Sequence, residues 1–159
     1  MVALAASGPA TKQREQEKVY LIICLEGEFY GLPGNYVREI TRWRKPTLVP
    51  GAPPALLGIL NQRGVVLPVV DARLLLGFPE KPVVRESRYI IIQFEDAELA
   101  LLVDNVRDLS DLSDLPLEPL PAGLEAGRAR FLFAIVRLNN EPVALLDLGV
   151  IIKALRTGA

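Results

Sequence analysis

The chain contains no histidine and one cysteine. These absences remove Ser-His-Asp and Cys-His catalysis, the usual zinc and iron sites, and any phosphohistidine relay within the chain. Cys24 cannot form an internal disulfide, and its place in an apolar run reads as a small buried hydrophobe. No apolar stretch approaches the roughly 18 residues of a membrane-crossing helix, and the opening VALAA is too short, and lacks the basic start, for a secretory signal. The expectation is a cytoplasmic protein with no direct membrane insertion. There is no Gly-x-Gly-x-x-Gly or Walker pattern, so nucleotide binding has no support in the sequence. Nor is there a basic excess, because a net charge of -1 argues against a general nucleic-acid binder. Neither a cofactor nor a metal is expected. For enzyme chemistry only carboxylates such as Glu26, Glu28 and Glu95 remain.

What is present is a duplication. Tyr20 to Ile40, YLIICLEGEFYGLPGNYVREI, aligns without a gap to Tyr89 to Leu109, YIIIQFEDAELALLVDNVRDL, with seven identities that include Val37-Arg38 against Val106-Arg107. Gly58 to Asp71 aligns in the same way with Ala134 to Asp147, keeping the apolar rhythm and the final Asp. A unit of roughly 60 to 70 residues is near the lower limit for a self-sufficient core, so the copies are expected to lean on each other. The chain of 159 residues is 50% hydrophobic, which indicates a large core or apolar contact surfaces. The copies depart from one another at Asn61-Gln62-Arg63-Gly64, which faces Arg137-Leu138-Asn139-Asn140 in the second.

Val19 to Leu25 and Phe29 to Leu32 read as a hairpin about Glu26-Gly27-Glu28, and the second copy repeats it about Glu95-Asp96. Asn35 to Glu39 suggests one helical turn before a strand from Ile40 to Lys45. On that strand Arg42 and Arg44 share a face, and Trp43 packs beneath. The basic run around Trp43 suits either a solvated face or a protein contact. Pro46 to Pro54 cannot be a central strand. Leu56 to Asn61 and Val65 to Val70 form a hairpin in which Gly64 suits a positive φ. Asp71 and Asp147 each precede a short apolar helix and read as N-caps, the second helix running from Leu148 to Leu155. Pro79 to Glu86 is the linker between copies, and Leu109 to Gly127 is a longer proline-rich connection. Many short strands and few helices predict a mainly β protein built from small barrels.

These residues resemble the CheW-like domain family of bacterial chemotaxis adaptors. The resemblance covers about Val19 to Leu155 and rests on YGLPGNYVREI, VPGAPPALLGILNQRGVVLPVVDARLLLG, LALLVDNVRDL and ALLDLGVIIKAL. It implies two SH3-like five-stranded β-barrel subdomains packed across an apolar seam, with short helices including a C-terminal one and no catalytic activity. The expected organisation is a flexible tail over residues 1–18, then one domain over 19–156 with subdomains of approximately 19–78 and 86–156. The implied partners are the regulatory domain of a CheA-type histidine kinase and the cytoplasmic tip of methyl-accepting chemoreceptors, with the protein recruited to membrane receptor arrays. The implied receptor contacts are Val37, Glu39, Gly58, Arg63 and Val106. The family usually has Leu where Gln62 stands and an aliphatic residue where Gly34 stands, and both departures bear on partner specificity.

Each candidate also has a structural reading of its own. Arg63, at a hairpin tip, can bond a partner's carboxylate or helix carbonyls, or solvate a turn and pair with a nearby acid. Val37 can serve a contact or the core, since Val106 repeats it. The second copy replaces Gly58 with Ala134, which reads either as a tolerance for small residues at a close backbone approach or as simple strand packing. The same scaffold in a pilus-motility or other chemosensory array is the alternative reading. A small β-barrel enzyme, or a nucleic-acid module using Arg42 to Lys45, represents the other classes.

Overall fold

The computed structural model describes residues 18–157, so the tail expected over residues 1–18 lies, save Lys18, outside the described residues. The strands are β1 (Val19–Leu25), β2 (Glu28–Pro33), β3 (Val37–Arg42), β4 (Leu56–Gln62), β5 (Val65–Asp71), β6 (Arg88–Phe94), β7 (Ala97–Val103), β8 (Asn105–Asp111), β9 (Leu132–Leu138) and β10 (Glu141–Leu146). Among the described residues three short helices accompany them: α1 (Ala72–Leu75), α2 (Ala126–Ala129) and α3 (Leu148–Thr157), with a 3-10 turn at Gly34–Tyr36. Two-residue loops join β1 to β2 and β4 to β5. In both, the two loop residues have positive φ, Glu26 with Gly27 and Arg63 with Gly64, a twist that matches the flanking strands. Asn139 and Asn140 do the same between β9 and β10.

The strands form two five-stranded sheets, ordered β8-β1-β2-β10-β9 and β3-β6-β7-β5-β4. Replacing each strand of the first sheet by its repeat counterpart generates the second. The repeats therefore do not coincide with the barrels, which corrects the contiguous subdomains 19–78 and 86–156. Each barrel takes the first hairpin of one repeat and the last three strands of the other. The chain changes sheets at the Gly34–Tyr36 turn and again at Asp104, between β7 and β8. Parallel pairing of β2 with β10 and of β5 with β7 then stitches the repeats together. Each sheet is closed by the segment that follows its third strand from that repeat. Thr47 and Ile59 exchange backbone hydrogen bonds of 2.9 and 2.8 Å, and Glu118 and Ile135 exchange bonds of 2.7 and 2.8 Å.

This exchange explains the unbroken apolar runs of β1 and β6, which are buried on both faces. Tyr20 and Ile22 fill the first barrel with Val136, Val143 and Leu145. Tyr89 and Ile91 fill the second with Leu60, Leu67 and Leu102. The alternate residues Leu21, Ile23 and Leu25 meet Ile90, Ile92 and Phe94 in a larger cluster between the barrels, where Leu148, Ile151 and Ile152 of α3 also pack. Neither barrel has an independent core of comparable size.

Asp71 caps α1, accepting from the Arg73 amide at 2.9 Å, and Asp147 accepts from the Val150 amide at 3.2 Å at the start of α3. Three local expectations need correction. The single turn ends at Tyr36, so β3 starts at Val37 and stops at Arg42. Trp43 thus lies beyond the strand and is 36% exposed instead of packed beneath it. Cys24 is half-buried, although burial still pushes its thiol up from the ordinary value.

Candidate functional site

The duplicated Val-Arg pair marks the same device in both copies. In β3 the pairing with β6 slips between Val37 and Glu39, and in β8 the pairing with β1 slips at the equivalent place, between Val106 and Asp108. Each slip is a β-bulge at the arginine, Arg38 or Arg107, and a bulge re-aims the residues beside it. Val37 and Val106 both pack, partly buried, against the central cluster between the barrels. They sit at matched positions on the seam, where side chains serve the core from below and remain open above.

Beside this apolar pair the copies diverge. Glu39 is 27% exposed and pairs at 2.9 Å with the guanidinium of Arg63, which is 77% exposed. The pair joins β3 to the tip of the β4–β5 hairpin, elements at opposite ends of the second sheet. Gln62 extends it: its amide donates to Glu39 Oε1 at 3.3 Å, and its carbonyl oxygen accepts from Arg44 at 2.8 Å. Arg44 also donates to the Asn61 carbonyl, while Asn61 Oδ1 accepts from the Gly64 amide at 2.9 Å. The hairpin tip is thus held from both sides, with most of Arg63 left in solvent. In the second copy Asn139 replaces Arg63 at the corresponding tip, and Asp108 bonds Ser110 at 2.8 Å instead.

Gly58 is placed differently from the other four. It is buried in β4, with φ +154°, and a Cβ there would lie 2.1 Å from the Thr47 carbonyl oxygen. The close backbone approach read from the sequence is present, whereas the tolerance read from Ala134 is not. Gly58 allows the Thr47–Ile59 closure of the barrel. The structure therefore brings Glu39 and Arg63 into contact, sets Val37 and Val106 on one seam, and gives Gly58 a backbone role.

The sequence reading did not assign Gln62 as a partner of Glu39, nor Arg44 as a partner of Gln62, although Gln62 stood out where Leu is usual. It also missed a buried charge network. Arg73 donates twice to Asp71, from Nε at 3.1 Å and from Nη2 at 3.0 Å, and reaches Asp104 at 3.2 Å. Asp104 in turn accepts from the Glu26 amide at 2.9 Å, and Glu26 pairs with Lys81 of the linker at 2.6 Å. The network ties the β1–β2 tip, the β7–β8 crossing, α1 and the linker together. Its only sequence signal was Arg73 in Asp-x-Arg, where the second copy has Gly149. Of the acids open to a catalytic reading, Glu26 pairs with Lys81 as above and Glu28 accepts from the Tyr30 hydroxyl at 2.9 Å. Among the described residues no cluster could hold a metal ion, and no helix is long and apolar enough to cross a membrane.

Residues 19–156 match the model of the family described as the CheW-like domain. The chain is 32% identical over 132 residues to chemotaxis protein CheW of Bacillus subtilis, covering 83% of this chain and 85% of that protein. It is 29% identical over 126 residues to protein PilI of Pseudomonas aeruginosa, covering 77% of this chain and 71% of that one. The crystal structure of the scaffolding protein TtCheW from Thermoanaerobacter tengcongensis superposes with a TM-score of 0.73 at 25% identity, over 82% of this chain and 89% of that one.

Proposed function

Because the chain belongs to the CheW-like domain family, we propose that it is a chemotaxis adaptor whose seam between the barrels receives the cytoplasmic tip of a chemoreceptor. The family is a scaffold that couples chemoreceptors to the histidine kinase CheA, and this chain takes that role without catalysing a reaction. The family match across almost the whole described chain carries the reading. The Glu39–Arg63 pair beside two seam valines supports the placement of the receptor contact. Desolvation of Val37 and Val106 supplies affinity, while the charges of Glu39 and Arg63 fix register and partner choice. Gly58 contributes indirectly, by holding the hairpin that carries Arg63. The kinase regulatory domain binds elsewhere on the barrels, and through both contacts the protein is recruited to receptor arrays.

Calorimetry of the protein against a receptor-tip fragment and against the kinase regulatory domain tests this, with Arg63→Ala in parallel. We expect one-to-one binding to both partners. Arg63→Ala should weaken only the receptor contact, by about tenfold for one lost charge-assisted interaction. Its melting temperature should stay close to that of the parent, because an exposed ion pair contributes about 0–1 kcal/mol. Equal losses for both partners, or a melting transition lowered in step with binding, would overturn the assignment. The similarity to PilI favours one second reading, service in another chemosensory array, and titration against receptor and kinase fragments of each system separates the two.

A further inference from the structure

Within the basic run at the end of β3, Arg44 braces the β4–β5 tip, whereas Arg42 and Trp43 turn to a separate, concave setting. Arg42, the last residue of β3, lies directly opposite Arg88 of β6 in the ladder. Like charges in that position repel. Arg42, Trp43, Val84, Arg85, Ser87 and Arg88 line one concavity of about 350 Å³. Its floor is fixed by hydrogen bonds. Arg88 Nη1 donates to the carbonyls of Arg85 and Ser87 at 2.9 and 2.8 Å. The Val84 amide donates to Ser87 Oγ at 2.9 Å, and the Ser87 amide returns a bond to the Val84 carbonyl at 3.0 Å. Among the described residues no carboxylate forms an ion pair with Arg42, Arg85 or Arg88. Between these cations Trp43 and Val84 stand 36% and 55% exposed.

We infer that this pocket docks an acidic segment of a partner protein, one that carries two or three carboxylates around an apolar side chain. Charge complementarity selects the sign, because three guanidiniums gather with no ion-paired acid among the described residues, and Arg42 and Arg85 present their forked donors to a partner while Arg88 is tethered to the floor. The indole and Val84 select the rest, since a bare phosphate would leave them uncovered. A flat lipid surface suits a concave pocket poorly, and a nucleic acid would need a longer basic track than one pocket on a chain of net charge -1 offers. The pocket uses none of the five residues assigned to the receptor contact, so this inference and that one stand or fall separately.

Trp43 is the only tryptophan in the chain, so its fluorescence reports on the pocket directly. The full chain is titrated with an acetylated, amidated Glu-Glu-Leu-Glu-Glu peptide. A saturable change is expected, weakened about tenfold in Arg42→Gln with Arg85→Gln and progressively lost as salt is raised. Replacing the peptide's Leu by Gly should also weaken binding. Arg42→Gln alone should leave the melting temperature unchanged or raise it, because it relieves the repulsion with Arg88. The inference fails if the peptide gives no saturable change, or if the double variant binds it equally well. Tighter binding of inorganic pyrophosphate than of the peptide would make this a phosphate site and overturn the proposal. Binding to phosphatidylserine vesicles without binding to the peptide would overturn it in favour of a membrane.

Discussion

Arg73→Met tests the buried charge network most directly. The Arg73 and Asp71 side chains are 4% and 2% exposed, and Asp104 is 23% exposed. Methionine fills similar space but removes both bonds to Asp71, which leaves a carboxylate buried without its counter-ion. Breaking such a pair from one side costs about 3–5 kcal/mol. Asp104 can turn to solvent and adds little. Against a total stability of roughly 5–15 kcal/mol, this should lower the melting temperature by about 6–20 °C, at 2–4 °C per kcal/mol for a chain of this size. The companion variant Asp71→Asn with Arg73→Met removes the stranded charge and keeps an oxygen to cap α1. It should recover to within about 1–2 kcal/mol of the parent, the residue of the lost hydrogen bonds. Urea unfolding followed by far-ultraviolet circular dichroism measures both. A loss below about 1 kcal/mol in the single variant, or a double variant no more stable than the single, would refute the argument that uncompensated buried charge sets the cost.

Three further outcomes follow from the geometry. Gly58→Ala should destabilise by about 2–4 kcal/mol, since its Cβ meets the Thr47 carbonyl oxygen at 2.1 Å and overpacking adds to strain at positive φ; a thermal melt equal to the parent's would show that the closure yields freely. Gln62→Leu restores the family's usual residue and cuts the Arg44–Gln62–Glu39 bridge. Combined with Arg63→Ala it should depart from additivity in receptor-tip binding by at least about 0.5 kcal/mol, because both act on Glu39; strictly additive losses in calorimetry would deny the coupling. Burial pushes the Tyr89 phenol up to about 12, and its hydroxyl donates to the Arg44 carbonyl at 2.6 Å. The folded-state value lies above the unfolded one, so its contribution is intact below pH of about 10 and is lost as pH rises from there toward 12. Urea midpoints across that range, with Tyr89→Phe as reference, should show the parent falling more steeply.

Much of the fold was legible because its signals are local. Short β-branched and aliphatic runs mark strands, Arg63-Gly64 and Asn139-Asn140 supply the positive φ of tight hairpins, and Asp71 and Asp147 cap helices within two or three residues of themselves. The start of β3 was misplaced because the Val37-Arg38-Glu39 bulge is a property of its pairing with β6, which no local preference encodes. Of the site, residue types and positions were legible, but Gly58 was read as a tolerant contact until the Thr47 carbonyl was placed above it.

By itself the sequence determined the duplication, the mainly β class, the hairpins and caps, and the family, all of which rest on residue order and short-range backbone preference. Only the tertiary structure decided which strands share a barrel, because repeat units too small to enclose a core of their own can satisfy both faces of β1 and β6 only by exchanging hairpins. The same closure decided which charges meet. Glu39 finds Arg63 and Arg73 finds Asp104 across elements that are remote in sequence, whereas Arg42 is set against Arg88 with no acid between them, and nothing in the order of residues fixes those distances.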